Sequence, residues 1–349
     1  MGRLLLTILT IFLFASGLRA QYVPGTNQPF QYAPVFNPAF SGIEGYKDLK
    51  LGYRYQWTGF GAGAPKWLNL TYNFRLKEPL DLNLHALRTN SSLRTANSAN
   101  KQRTSNNQRR PDELPALKRA IQGFGVNVYN ESLGPIKRVG GGINYAFHYP
   151  LTKDLRLSGG VGVIVDNTRI DLNALELAFQ TNPDPFWMSM RANGANHTDL
   201  SVRAGVLLYS SKFYLGFSYL PVYNAALKTS EVTGAEPFYK GTIMAGVALP
   251  LSPTLTLKPS VLALWQTDNK FAVDYNAKMY IEQKIWFGAT YRSTRNLVAL
   301  LGFNLNEMLG ASYCYEISTG GMQQFSDGSH ELVLSLRLNN FKRLSPQTW

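Results

Sequence analysis

Past residue 20 the chain alternates between apolar and polar positions with a period of two. Between residues 47 and 58, Leu49, Leu51, Tyr53, Tyr55 and Trp57 share one face, and Lys50, Gly52, Arg54 and Gln56 share the other. Between 66 and 76, Leu68, Leu70, Tyr72, Phe74 and Leu76 stand opposite Asn69, Thr71, Asn73 and Arg75. The same pattern returns at 271–281, where Asp274, Asn276 and Lys278 alternate with apolar residues, and at 330–338, where Glu331, Ser335 and Arg337 do so. A period of two is that of a strand whose faces meet two different environments. No apolar run long enough for a helix to span a bilayer follows residue 20.

Such strands fit either a soluble sandwich or a membrane barrel. Three features favour the barrel. The segments are about ten residues long, the length a tilted strand needs to cross the hydrocarbon. Their polar faces carry Arg, Lys and Asp, as a lumen requires, and Tyr, Trp and Phe collect near strand ends, as at membrane interfaces. Fourteen segments are expected. They start near Lys47, Lys66, Ala120, Arg138, Asp154, Thr198, Lys212, Tyr239, Thr254, Lys270, Ile285, Asn296, Leu309 and His330. An even count suits a closed antiparallel barrel.

Connections at 149–153, 210–211, 250–253, 282–284 and 305–308 are short, whereas 167–197, 224–238 and 319–329 are long. Short periplasmic turns and longer outer loops put both termini in the periplasm of an outer-membrane protein. Pro259 falls inside a strand, where it cannot donate to the ladder; a bulge is expected there.

Residues 1–20 have Arg3 ahead of an apolar stretch and small residues up to Ala20, the pattern of a cleaved secretory leader. No cysteine follows, so a lipid anchor at that point is excluded. The expected division is a leader over 1–20, a periplasmic or plugging segment over 21–46, a barrel over 47–341 and a tail over 342–349.

Composition agrees with a lipid-facing wall: 16% charged, 13% aromatic and 30 Gly among 349 residues. One cysteine excludes a disulfide scaffold or a multi-cysteine metal site. The formal charge of +13 is uneven. An insert at 78–119 carries Arg88, Arg94, Lys101, Arg103, Arg109 and Arg110 with no acid between 88 and 110, among Ser, Asn, Thr and Gln. It reads as a disordered basic segment, either merely solvated or an arm docking on an acidic partner. A secreted chain makes nucleic acid a poor partner.

Several motifs then go beyond the general pattern. Asn37-Pro38-Ala39 with Gly42 precedes Tyr53-Arg54-Tyr55-Gln56-Trp57 and Pro65. A glycine-rich strand leads to Gly134-Pro135, and Tyr291-Arg292 and Ser329-His330-Glu331 follow in order, as do the stretches at 143–149, 213–218, 258–260 and 311–317. This ordered set resembles the PorP/SprF family of type IX secretion proteins of Bacteroidota, over nearly the whole chain past the leader. Two departures stand out: Glu316 occupies a position where the family has aspartate, and the basic insert is long.

The resemblance implies an outer-membrane barrel of the secretion and gliding machinery. It would support export or surface anchoring of large proteins through protein contacts. Implied partners are periplasmic ring or lipoprotein components and the C-terminal domains of secreted cargo or adhesins, with outer-membrane lipid around the wall.

The sequence offers little chemistry. No metal-binding helix, paired-cysteine motif, phosphate loop or nucleophile elbow is present, so no cofactor and no enzyme activity are expected. Ser329, His330 and Glu331 are adjacent, but neighbours on a strand point to opposite faces and cannot form one triad. Cys314 shares a face with Ser312 and Glu316 and is expected to be inert.

The residues expected to face inward are Lys50, Arg54, Arg75, Arg156, Arg203, Lys258, Asp274, Lys278, Arg292, Glu316 and Arg337. They form either a solvated, cross-paired interior or a slot that receives a plug, with 21–45 as the candidate. Alternatives to the anchoring function are a passive or substrate-specific transport channel and an outer-membrane enzyme.

Overall fold

The computed structural model describes residues 25–61, 63–77, 120–172, 188, 195–228, 239–267, 269–319, 321–324 and 326–340. The expected leader, the basic residues of the insert and the C-terminal tail lie outside them.

Fourteen antiparallel strands close into a barrel. They are β1 (Lys47–Tyr55), β2 (Lys66–Lys77), β3 (Ile121–Leu133), β4 (Ile136–Pro150), β5 (Arg156–Ile170), β6 (Asn196–Tyr209) and β7 (Phe213–Lys228). The second half is β8 (Tyr239–Val247, resuming as Leu249–Pro250), β9 (Leu255–Gln266), β10 (Phe271–Ile281), β11 (Ile285–Arg292), β12 (Asn296–Asn304), β13 (Leu309–Ser318) and β14 (Ser329–Leu338). Each strand pairs with its sequence neighbours, and β14 pairs with β1 from Lys47↔Leu338 to Tyr55↔His330, which leaves no free edge.

The alternation read from sequence is the alternation of burial. On β1, Leu51 and Tyr53 are 43% and 46% exposed, whereas Lys50 and Arg54 are buried. On β10, Asp274, Asn276 and Lys278 are buried and Phe271 and Ile281 are exposed. The apolar faces point outward and the polar faces inward, the inverse of a soluble protein and the arrangement of a membrane barrel. Outward aromatics stand at strand ends, among them Tyr149, Phe213, Phe271, Tyr291 and Phe303.

Call the end where β1 begins and β14 finishes the entry end, and the opposite one the far end. At the entry end the turns are closed by short polar side chains. Asn306 Oδ1 accepts from the N–H groups of Met308 and Leu309 at 2.8 and 2.7 Å, and Ser210 Oγ accepts from those of Lys212 and Phe213. These side chains stand in for a missing rung of the ladder.

Three expectations are corrected. β5 runs to Ile170, β6 starts at Asn196 and β7 runs to Lys228, so the strands reach further into the long connections than their composition suggested. The alternation of loop length is incomplete, because β3 turns into β4 through Gly134 and Pro135 alone at the far end; Gly134 permits this with φ of 55°. The bulge expected at Pro259 does not form. Pro259 pairs with Ala277 in unbroken register, and on its other side pairing lapses opposite Val247 and Ala248, then resumes at Leu257↔Leu249 in the same register. The missing N–H opens a gap without inserting a residue.

Candidate functional site: the threaded lumen

Residues 25–46 lie inside the barrel. They form three single turns, Pro29–Tyr32, Ala33–Phe36 and Pro38–Phe40, each with a proline in its first two positions, where a fixed φ is preorganised for the turn. Asn37 joins the last two: its side chain accepts from the Ala39 N–H at 2.9 Å. Phe30, Tyr32, Ala39, Phe40 and Ile43 are buried. Tyr32 meets Trp67 edge-on with ring centroids 5.7 Å apart, and Phe40 meets Tyr214 at 5.5 Å.

This segment has almost no ladder of its own, so its carbonyls need other donors. The inward side chains supply them. At the far end Arg54 donates to Gly25 O at 2.8 Å and Arg292 to Thr26 O at 2.8 Å. In the middle Asn144 donates to Pro34 O, Arg203 to Val35 O and Ser218 to Phe36 O. Towards the entry end Ser158 donates to Ala39 O, and Arg75 donates to Gly42 O and Ile43 O. Counting Lys50, Thr242, Ser312 and Glu331 as well, at least ten of the fourteen strands are tied to the segment by hydrogen bonds. Arg54 lies seven residues beyond Lys47 on β1, about 23 Å at a strand's rise. The segment therefore runs along most of the lumen.

Glycines on the wall set how closely it approaches. A Cβ on Gly160 would fall 2.4 Å from Ala39 N, one on Gly205 2.1 Å from Asn37 Oδ1, and one on Gly123 1.8 Å from Ser41 O. The segment comes this close to the wall only because these inward positions carry no side chain. Asn37 uses that closeness: its amide donates to Val206 O and Phe217 O, each at 3.2 Å, on β6 and β7.

A charge cluster gathers at the far end. Glu316 accepts from Arg54 at 2.7 Å and from Arg292 at 3.3 Å, and Arg292 also donates to Asp274 at 3.1 Å. Arg292 reaches Asn27 Oδ1 at 3.0 Å, while Glu331 accepts from Thr26 Oγ1 and Asn27 N, both at 2.5 Å. Burying these ions is offset by dense mutual pairing and by groups of the threaded segment.

The motif residues fall into three sets. Asn37, Pro38, Ala39, Gly42, Arg54, Arg292 and Glu331 hold the segment in the lumen. Gln56, Trp57, Pro65, Gly134, Pro135 and Ser329 knit the far rim: Gln56 N donates to Pro65 O at 2.8 Å, Trp57 N to Ser329 Oγ at 3.3 Å and Gly134 N to Gly63 O at 3.1 Å. Tyr53 and Tyr291 face outward. So does His330, which bonds Tyr313 Oη at 2.6 Å, while Ser329 and Glu331 point inward; the three do not converge. Cys314 is buried between strands on the inward face. No cluster of metal-ligating side chains occurs among the described residues.

Of the inward residues expected from sequence, Lys50, Arg54, Arg203, Lys258, Asp274, Lys278, Arg292, Glu316 and Arg337 are buried, and Arg75 and Arg156 are half-buried. Lys258 and Lys278 lie over the rings of Tyr280 and Trp286, 4.3 and 4.7 Å from their centroids. The glycine seats, Asn144, Ser158 and Ser218 were not singled out from sequence. Their signal is a small or amide residue at an inward position of an otherwise alternating strand.

Among solved structures the chain is similar to the outer membrane protein Omp33 of Acinetobacter baumannii, at 10% identity and a TM-score of 0.44, over 85% of this chain and all of that one. It is also similar to the toluene transporter TodX of Pseudomonas putida, at 10% identity and 0.44, over 92% and 95% of the two chains. The outer membrane phospholipase A of Escherichia coli follows at 7% and 0.35, over 84% and 92%. No curated protein matches the chain. The model of the type IX secretion system membrane protein PorP/SprF matches residues 18–336. The alternating wall, the threaded lumen and this match over nearly the full length agree: the chain belongs to the PorP/SprF family of type IX secretion system membrane proteins.

Proposed function

We propose that this protein acts in the outer membrane as a closed anchoring barrel of the type IX secretion machinery, supporting export or surface attachment of large proteins through protein contacts. The observation that carries this reading is that the inward donors are already taken by the chain's own carbonyls. A wall whose Arg54, Arg75, Arg203 and Arg292 are committed to residues 25–43 has few groups left to select a passing solute. A transport channel is the weaker reading, because the threaded segment would first have to leave. Catalysis has no support from the outward turn of His330 away from Ser329 and Glu331.

In this reading the short turns and both chain termini face the periplasm, where the segment 88–110 would meet acidic ring or lipoprotein components. Cargo or adhesin C-terminal domains are the other partners of this reading. Affinity purification on a tag placed after Trp349, with mass spectrometry, tests it. Recovery of envelope-machinery or adhesin chains is expected, weakened by deleting 88–110. A bare barrel in the eluate, together with steady conductance in planar bilayers, would overturn it.

A further inference from the structure

The far end of the lumen holds a cavity of about 120 Å³ beside the first described residues, Gly25 and Thr26. Trp67, Asn69, Asn127, Tyr129, Arg138 and Asp166 are among the residues lining it. Two of its lining side chains, Arg138 and Asp166, are 26% and 16% exposed.

Its charges are already balanced. Arg138 donates to Asp166 at 3.0 Å, and Tyr129 Oη donates to the same carboxylate. Glu131 lies opposite Arg138 in the β3–β4 register, and Arg203 is held by Val35 O and by Asn144. Two acids and two guanidinium groups leave no net charge for a ligand to neutralise. With the charges balanced, the lining atoms left unbonded among the described residues are Arg203 Nε, Tyr32 Oη and amide atoms of two asparagines. Asn69 is 1% exposed and has neither side-chain atom bonded among the described residues, and Asn127, 3% exposed, has its Oδ1 unbonded there. Buried amides of this kind call for a partner that both donates and accepts. Beside them stand Trp67 and Tyr129, the latter with the Arg138 guanidinium over its ring at 5.8 Å from the centroid, and the ring surface left to the cavity suits an apolar surface of the same ligand.

A small group with hydroxyls on its edge, apolar C–H faces and no charge satisfies all three conditions. We propose that the cavity is a binding site for a neutral sugar ring, a single hexose unit displayed at the far mouth of the barrel. The aromatic faces would take the C–H face of the ring, and Asn69, Asn127 and the Asp166–Arg138 pair its hydroxyls. Few precise polar groups in a mostly apolar, concave setting are the usual make-up of a small-ligand site.

The test uses the full-length barrel in detergent, titrated calorimetrically with glucose, galactose, mannose and N-acetylglucosamine, and with glucuronate and glucosamine as charged counterparts. At least one neutral sugar is expected to bind, with the charged forms about tenfold weaker or worse. Asn127→Leu is expected to weaken binding by about tenfold or more while the protein still migrates as a folded, heat-modifiable barrel. Ser201→Trp, which fills the cavity from its rim, is the second variant should the first not fold. The preferred sugar is then offered as a glycolipid in mixed micelles and as a glycopeptide, and the tighter of the two gives its source. Heat from no neutral sugar, equal binding of charged forms, or undiminished binding by both variants overturns the proposal.

Discussion

Arg54 on β1 donates to Glu316 on β13 at 2.7 Å, with β14 lying between them. The pair thus bridges the seam where the barrel closes, and Arg292 reaches the same carboxylate from β11. Removing one member leaves buried charge without its partner, at a cost of about 3–5 kcal/mol. Glu316→Gln is expected to lower the thermal unfolding midpoint markedly. Glu316→Asp, shorter by one methylene, should lose about 1 kcal/mol by reaching only one guanidinium. An unchanged midpoint for both variants would show that the seam does not depend on this cluster.

Gly160 and Gly159 are neighbours with opposite duties. A methyl on Gly160 would meet Ala39 N at 2.4 Å, and one on Gly159 would meet nothing within 4 Å. Gly160→Ala is expected to cost about 1–3 kcal/mol and to make residues 25–46 sensitive to protease, while Gly159→Ala does neither. Equal behaviour of the two would mean that the seats do not set the docking.

Asn37→Ala removes a cap on Ala39 N and two donations to Val206 O and Phe217 O. Taken together these are worth roughly 2–4 kcal/mol. Asn37→Asp keeps the cap acceptor but turns a carboxylate toward two carbonyls, so it should be the worse of the two in chemical denaturation. The reverse order would place the weight on the cap and not on the wall contacts.

Leu334, 47% exposed at the middle of β14, belongs to the outer face. Leu334→Arg should destabilise the barrel in bilayers by about 2–4 kcal/mol and much less in a short-chain detergent. A similar loss in both would argue that the site is a protein contact and not a lipid one.

Much of this was legible because a strand has a rigid period. Arg54, Asp274 and Glu316 could be placed inward from parity alone, and the fourteen starts lie within two residues of those in the structure. The partners of those charges were not legible. Thr26, Asn27 and Gly25 sit in a stretch with no period at all, and their bonds run to residues up to 305 positions away. The glycines were silent. In an alternating strand nothing marks Gly160 and Gly205, and only the approach of Ala39 and Asn37 gives them a purpose. Pro259 misled openly, since a missing donor fits a gap as well as a bulge.

The ties between residues 25–46 and at least ten strands also have a mechanical meaning. An empty tube of this width flattens under a sideways push, because its strands shear past one another while each ladder stays intact. Here flattening would stretch bonds to a common central strut from almost every direction at once. The wall is braced from within, like a spoked wheel around its hub, and a barrel so braced can be pulled on from one face without losing its round section.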